Sequence, residues 1–576
     1  MCRAFRHGAL GLALLTAWGT LCHGADGRFI ENGVEILRDG YADQPYVVAL
    51  QDGRWLCITT VSATVENAPE RHLVLSWSGD QGETWTAATS GVEPPEEMRQ
   101  PSWATLFVNE FGRVYAFYNL NREEGRGIIY AYRHSDDHGH TWSERSYLPI
   151  RETAMNAEFE NASSWGIDPP QKIGDSVFFA FSKYGGPNRQ GEGWIFRSPN
   201  LWSERDADRI EWEMWPEGDY GIRSERVGYL QEEHNLVPLS DGTLYMAARS
   251  LEGYVVDTVS HDMGETWTEP DFATYADGER RIKNPRALAR VWRCENGHYL
   301  LWHHNHDGRD VPERNKNRTP AWVAGGIEQD GRILWSQPEI LLYTFDPPYN
   351  SGMSYPELIE KDGRYWVTQT QKKVARINEI DPDLLNGLWQ QHQSAYLNSD
   401  DLLVEMAGPI DGEAFDLPSL SRGESFSIEM KVHVDDLNAP KVLLDMRRRD
   451  RMGTPGQGLV VESTGRGTLI LDMNDGRRSA ALEIDDGLLE PGRDHYVAFV
   501  VDGAARIITA VVDDRLCDGG EERQYGWQLF DRRFGDVEGG GTLVLDEAVR
   551  ALRVYGRALR TSEAISHGRY LGALQE

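Results

Sequence analysis

Four histidines stand where they could handle protons on a sugar. His234 directly follows Glu233 in QEEHN, and LWHHNHDGRD carries His303, His304 and His306, of which His304 and His306 are set to share one face of a strand. A neutral imidazole can take the proton from a carbon beside a carboxylate while an arginine or tyrosine neutralises and protonates the opposite side. That is what β-elimination on a uronic acid requires. Trp103 and Trp165 could serve as stacking platforms for sugar rings, although a chain with 19 tryptophans must place most of them in its core. HHNH lacks further cysteine or carboxylate ligands at a recognisable spacing, so neither a metal nor another cofactor is expected.

Residues so far apart need a scaffold that brings distant loops together. Three copies of one pattern, S-x-D-x-G-x-T-W, occur at Ser78 to Trp85, Ser135 to Trp142 and Ser260 to Trp267, each after an alternating apolar stretch such as HLVLSW. They read as strands entering tight hairpins: Asp80, Asp137 and Asp262 fold back onto backbone N–H groups, Gly82, Gly139 and Gly264 tolerate positive φ, and the trailing Trp packs between sheets. The three copies resemble the Asp boxes of the sialidase-like β-propellers. That resemblance implies boxes on the propeller rim, away from the central funnel, so that they build architecture and take no part in chemistry.

From about Gly27 to Asp400 the chain is rich in Trp, Tyr and Gly, and turns such as QDGRW, LSDGTLY, CENGHY and EKDGRYW recur every few dozen residues. At about 60 residues per blade this predicts an all-β fold with a six-bladed propeller, seven blades being the alternative. Degenerate boxes are expected at Ser198 to Trp202 and near Ile327 to Trp335, and a short helical or irregular closing segment at Glu379 to Trp389. From 401 to 576 the texture changes to strands such as FSIEMKVHV and HYVAFVVDG, which predict a jelly-roll β-sandwich. This part resembles the laminin-G or concanavalin-A-like modules found beside secreted glycan-active enzymes; sugar binding and a purely structural role both stay open.

Composition narrows the partners. With 59 basic and 91 acidic residues the formal charge is −32, so nucleic acid and anionic membranes are poor partners, and an acidic glycan requires arginines that reverse the field locally. Residues 1–25 have the layout of a secretory signal peptide, with Arg3 and Arg6 before an apolar run too short to span a bilayer. A secreted or periplasmic location is therefore expected, with a lipid anchor on Cys22 the less favoured variant. Cys57, Cys294 and Cys517 suit buried free thiols better than a disulfide framework.

The sialidase resemblance also implies site residues. The segment from Gln231 to Ser250 is similar to the one in which a glutamate precedes an apolar strand, a D-G hairpin and a substrate-binding arginine, which assigns those positions to Glu233 and Arg249. SYPELIEKDGRYW places Tyr355 at the tyrosine nucleophile, and Arg318 in NKNRTPAW lies where a third arginine is expected. Arg286, in KNPRAL, is a further candidate, with a surface ion pair as its alternative reading. A glutamate beside a tyrosine makes sense, because a phenol is a poor nucleophile or base until a neighbour takes its proton. Two positions depart from the sialidase pattern: Gln44 stands before Pro45 where the family's first arginine belongs, and Asn67, with Glu66 displaced by one, stands where the acid/base aspartate is expected. An amide cannot donate the catalytic proton. The chain further resembles secreted polysaccharide-degradation proteins related to ulvan lyases and to an ulvan-oligosaccharide dehydratase. The expected activity is elimination, a lyase or dehydratase step on a uronate-type, ulvan-like oligosaccharide. In it Arg249 and Arg318 hold the carboxylate, His234 or Tyr355 acts as base and acid, Glu233 tunes its neighbour, and Trp165, Arg286, His304 and His306 line the pocket. A glycoside hydrolase with Tyr355 as nucleophile and a non-catalytic glycan-binding propeller are the alternatives.

Overall fold

The computed structural model describes residues 26–576 apart from 94–98, 122–126, 161, 187–189, 311–316, 346–351, 414, 437, 450, 455, 538–542 and 574–576. The leader expected over residues 1–25 lies outside the described residues.

Six antiparallel sheets succeed one another along the chain. The first blade is Tyr41–Ala49, Trp55–Ser62, His72–Ser78 and Thr89–Ser90, in that spatial order. The fourth is Glu232–Pro238, Leu244–Arg249, Val255–Ser260 and Asp271–Phe272. The sixth, Leu358–Lys361, Arg364–Thr370 and Val374–Ile380, takes its outer strand from the start of the chain: Val34–Arg38 pairs antiparallel with Val374–Ile380. That exchange closes the ring at six blades.

The core confirms the closure. Apolar clusters fill the spaces between successive blades: Tyr46, Leu75 and Leu106 between one and two, Phe117, Phe179 and Phe196 between two and three, and Phe178, Leu236 and Met246 between three and four. Tyr245 and Tyr299 join four to five, Trp292 and Val367 five to six, and Trp55 and Trp366 six to one. Each blade thus buries both faces, so strands such as Trp55–Ser62 and Leu244–Arg249 are buried along their whole length rather than on alternate residues.

The three boxes share one construction. Ser78 Oγ accepts from Gly82 N at 2.8 Å, Asp80 Oδ1 accepts from Thr84 N at 2.8 Å, and Trp85 Nε1 donates to Gly82 O at 3.2 Å. The same bonds recur around Asp137 and Asp262. Trp85, Trp142 and Trp267 then pack against the clusters between blades. At Ser198 to Trp202 the turn persists with Asn200 in place of the aspartate. The boxes follow third strands, so they lie at the same end as the first hairpin of each blade. Second-to-third loops and the connections between blades emerge at the opposite end, and the chemistry gathers there.

The closing segment is a helix, Pro382–Gln390, capped by Asp381, whose carboxylate accepts from Asp383 N at 2.9 Å, and anchored by buried Leu384, Leu385, Leu388 and Trp389. Beyond it a seven-stranded and a six-stranded antiparallel sheet enclose one core that includes Ile428, Phe499, Leu459 and Leu471, and a helix at Thr561–Ala573 lies near the end of the chain. Cys57, Cys294 and Cys517 are buried and free.

Candidate active site

The site grows out of an irregularity repeated on inner strands. Blades one, two and four each lose register near the start of the inner strand, between Asp43 and Tyr46, between Ser102 and Thr105, and between Glu232 and Asn235. A bulge lets one residue turn out of the pleat. In these three it is Gln44, Trp103 and Glu233, with φ of 55°, 52° and 57°, and ahead of the inner strand of blade six Tyr355 takes φ 49°. Four blades thus each hold a non-glycine residue in the left-handed region at the same end of the ring, a conformation costing about 1 kcal/mol or more apiece and met most often where function demands it.

Glu233 and Tyr355, 122 residues apart, meet: the Tyr355 hydroxyl donates to Glu233 Oε1 at 2.7 Å, and Arg249 Nη1 lies 2.7 Å from Glu233 Oε2. Burial raises the carboxyl of Glu233 above its ordinary value against the pull of Arg249, and burial likewise holds the Tyr355 phenol well above 10, with Glu233 adding to the rise and Arg249 and Arg318 opposing it. The pair therefore rests as a protonated phenol on a carboxylate whose proton affinity has been lifted toward it.

Glu232 is the residue that sequence reasoning missed. In a regular strand it would face away from Glu233. The bulge brings both to Arg249, whose Nε and Nη2 donate to Glu232 Oε1 at 3.1 and 2.6 Å. Arg286 donates to the same oxygen at 3.0 and 2.6 Å. Arg318 Nη2 donates to Arg286 O at 3.2 Å and acts electrostatically on Glu233 and Tyr355. The three arginines of the sequence analysis thus stand together, but not equally. Arg249 donates two hydrogen bonds to Glu232 and pairs through Nη1 with Glu233, and its side chain is 7% exposed, whereas that of Arg286 is 23% exposed. Arg249 is chiefly a clamp on the glutamates; Arg286 offers the more open face, while Arg318 is buried like Arg249 but keeps its Nε without a hydrogen-bond partner among the described residues.

Blade one and the last hairpin supply further groups that the sequence did not single out. Lys372 lies 4.7 Å over the Tyr355 ring and is ion-paired with Asp43, which also accepts from the Tyr41 hydroxyl at 2.7 Å. Arg71 stacks 4.9 Å over Trp103 and donates to Glu66 O at 2.8 Å. The Glu66 carboxylate is near enough to act on Tyr41, Asp43 and Arg71, while Asn67 is exposed. Trp103 and Trp165 meet edge to face at 5.2 Å, and Trp165 packs with Tyr355 and under Arg249. Gln44 is fully buried and both of its amide atoms lack a hydrogen-bond partner among the described residues. Five cations (Arg71, Arg249, Arg286, Arg318, Lys372) thus stand around the buried carboxylates Asp43, Glu232 and Glu233, a locally positive region in an acidic chain.

The histidines do not join this group. The bulge that turns Glu233 outward sends His234 to the space between blades three and four, where its Nδ1 meets Ser182 Oγ at 2.9 Å and its ring presses on Gly193, and burial drives it down to about 3. The strand expected to carry His304 and His306 on one face ends at His303. Beyond it the chain bends, with Asn305 at φ 47°. His304 sits edge-on to Trp302 at 5.8 Å with Nδ1 near Pro320 O, close enough for Arg318 to act on it. His306 Nε2 bonds Asn317 O at 2.7 Å and its ring rests 5.0 Å from Tyr525 of the sandwich. Burial lowers His303 and His306 to about 4, so all are neutral packing groups at ordinary pH.

Residues 196–367 match the family model of the BNR repeat-like domain. No curated protein matches the chain. Among solved structures, the chain is similar to a protein of unknown function from Dyadobacter fermentans at 16% identity and a TM-score of 0.44, over 60% of this chain and 98% of that one. A mutant of Trypanosoma rangeli sialidase displaying trans-sialidase activity is similar at 11% identity and a TM-score of 0.40, over 94% and 96% of the two chains. For the leech intramolecular trans-sialidase the figures are 13%, 0.46, 62% and 71%.

Proposed function

We propose that this end of the propeller binds the terminal acidic sugar of an oligosaccharide and cleaves its glycosidic bond, with Tyr355 as nucleophile. The observation that carries the reading is the buried Tyr355–Glu233 hydrogen bond of 2.7 Å, with Arg249 on the far oxygen of the same carboxylate. Arg286 and Arg318 take the sugar carboxylate. Tyr355 Oη attacks the anomeric carbon and passes its proton to Glu233 Oε1, while the departing glycosidic oxygen takes a proton from the carboxyl of Glu66. Water then attacks the anomeric carbon and gives one proton to Glu66 while its other proton stays on the new sugar hydroxyl, and Glu233 returns to the departing phenolate the proton it took from Tyr355. Lys372 and the arginines stabilise negative charge on the phenol oxygen as it develops. Asn67 drops out of the acid/base role that its position suggested, and Glu66 takes it.

Elimination is the second reading, favoured by Lys372 over the Tyr355 ring, since a stabilised phenolate could equally take the proton beside a uronate carboxylate. The histidine base expected for that route is withdrawn, because His234 faces Ser182. Incubation with sialyl- and uronate-terminated oligosaccharides separates the two. Hydrolysis releases the acidic sugar with the mass of one added water and no ultraviolet change. An absorbing unsaturated sugar replaces the first reading with the second, and binding without any product replaces both with a glycan-binding role.

A further inference from the structure

Two of the three arginines sit on segments whose other sides are held by the sandwich. Lys283, three residues before Arg286, is 3% exposed and donates Nζ to the carbonyl oxygens of Asp518 and Arg523, both at 2.8 Å. Arg280 donates to Leu516 O at 2.9 Å. Next to Arg318, the Asn317 amide donates to the Tyr525 hydroxyl, which also accepts from Gln524 Nε2 at 2.7 Å. Gln524 in turn reaches His306 Nδ1 at 3.1 Å, and Trp527 Nε1 donates to Asn305 O at 3.1 Å. Asn305 and Asn317 both hold positive φ, 47° and 63°. Such backbone persists only where the surroundings over-determine it, and here much of what surrounds it belongs to the sandwich.

We infer that the C-terminal sandwich is part of the functional site: its segment 516–527 fixes where Arg286 and Arg318 stand, and Tyr525 is a positioning residue acting on Arg318 through Asn317. The inference deepens the proposed function and rests on its reading of those arginines as the carboxylate grip. A sandwich that swung freely as a separate sugar-binding module would break both hydrogen bonds from the Lys283 ammonium and uncover the buried seam around it. The geometry instead makes a rigid seam of which the arginines are the outer edge.

Tyr525→Phe in the full chain removes the hydroxyl and keeps the ring against His306 and Trp527. Arg28→Ala is the control, because Arg28 crosses to Asp502 at 2.8 Å elsewhere and touches none of the arginines. Calorimetric titration with free N-acetylneuraminic acid and with glucuronic acid reads affinity, and hydrogen exchange reads the Met353 amide, which donates to Arg318 O at 3.2 Å. The expected result is affinity for the bound acid about three- to tenfold weaker in Tyr525→Phe and unchanged in Arg28→Ala, with faster exchange at Met353 in the former alone. Equal affinities in Tyr525→Phe and the native protein overturn the inference, as does an equal loss in both variants. If the native protein binds neither acid, the functional reading fails and the exchange decides: faster exchange at Met353 confined to Tyr525→Phe sustains the seam, and unchanged exchange sinks it.

Discussion

The two ends of the propeller solve the problem of irregular backbone in opposite ways. At the box end, positive φ falls on pairs such as Gln81–Gly82, His138–Gly139 and Met263–Gly264, and the polar groups are satisfied within four residues, as Asp262 is by Thr266. At the other end, Gln44, Trp103, Glu233 and Tyr355 hold positive φ on or just ahead of inner strands, and their polar partners lie far away or are missing: Tyr355 finds Glu233 across 122 residues, Asp43 finds Lys372 across 329, and Gln44 finds none. A turn that closes on itself stabilises the blade that carries it. A strained residue that closes on a distant one lowers stability and gains geometry, and such sites belong to function.

Glu233→Gln tests the contrast most sharply. The amide keeps the shape and loses the proton acceptor, so turnover of an acidic oligosaccharide should fall by about 10³-fold, within the range for removal of an acid–base group, while the thermal midpoint changes little because Glu232 still holds Arg249. Asp262→Ala at the box end should do the reverse, costing about 1–2 kcal/mol of stability and leaving turnover alone. Turnover and thermal midpoints of both variants check this. If Glu233→Gln unfolds the protein while Asp262→Ala abolishes activity, the two ends have been assigned the wrong way round.

The same contrast explains what could be read in the sequence. The boxes, D-G hairpins and Asp381-capped helix are local, their chemistry complete within a few residues, and they were legible one by one. The grouping of Glu233, Arg249, Arg318 and Tyr355 was legible only through resemblance, since no spacing links residues on different blades. Glu232 was missed because strict alternation sets it on the face opposite Glu233 and only the bulge brings both to Arg249, whereas His234 was placed beside Glu233 by adjacency alone although neighbours on a strand point apart. His304 and His306 failed because the strand stopped one residue early. Lys372 and Asp43 gave no signal, being a hairpin lysine and a strand aspartate until the ring closed.

Acid should separate the two ends as well. His234 titrates near 6.5 when unfolded and near 3 when folded, and His303 and His306 near 4 when folded. The unfolded chain therefore binds more protons between those values, and stability is lost as pH falls below 6.5. By pH 5 each buried histidine withdraws on the order of 2 kcal/mol. The box carboxylates run lower: Asp137 is drawn to about 2 by Thr141 and Ser135 in spite of some desolvation, so its turn stays intact until far more acidic pH. Thermal midpoints from pH 7 to 5 should drop, and His234→Gln should flatten the slope by about one proton. Hydrogen exchange at pH 5 should rise around His234 and His303 before it rises at the boxes; a uniform rise would mean that the histidines are not what gives way.

The smallest effects set a glycine against a glutamine. Gly264→Ala meets both a φ of 95° and a neighbour, since a Cβ there would come within 2.2 Å of Ile195 Cδ1 in the core between blades three and four. Ile195 is fully buried and has little room to yield, so the substitution should cost about 1–2 kcal/mol. Gln44→Gly runs the other way. It removes a side chain whose amide makes no hydrogen bond and relieves a φ of 55°, against some lost packing and a more flexible unfolded chain, so the net change should stay below about 1 kcal/mol. Denaturant midpoints of the two variants would show it. The consequence should appear in binding: Gln44 follows Asp43, the partner of Lys372, so Gln44→Gly should loosen that corner of the site and weaken affinity for an acidic oligosaccharide by about three- to tenfold while Gly264→Ala leaves it untouched. A Gln44→Gly protein that is markedly less stable and binds as before would make Gln44 a structural residue after all, and the division between the two ends would no longer hold at blade one.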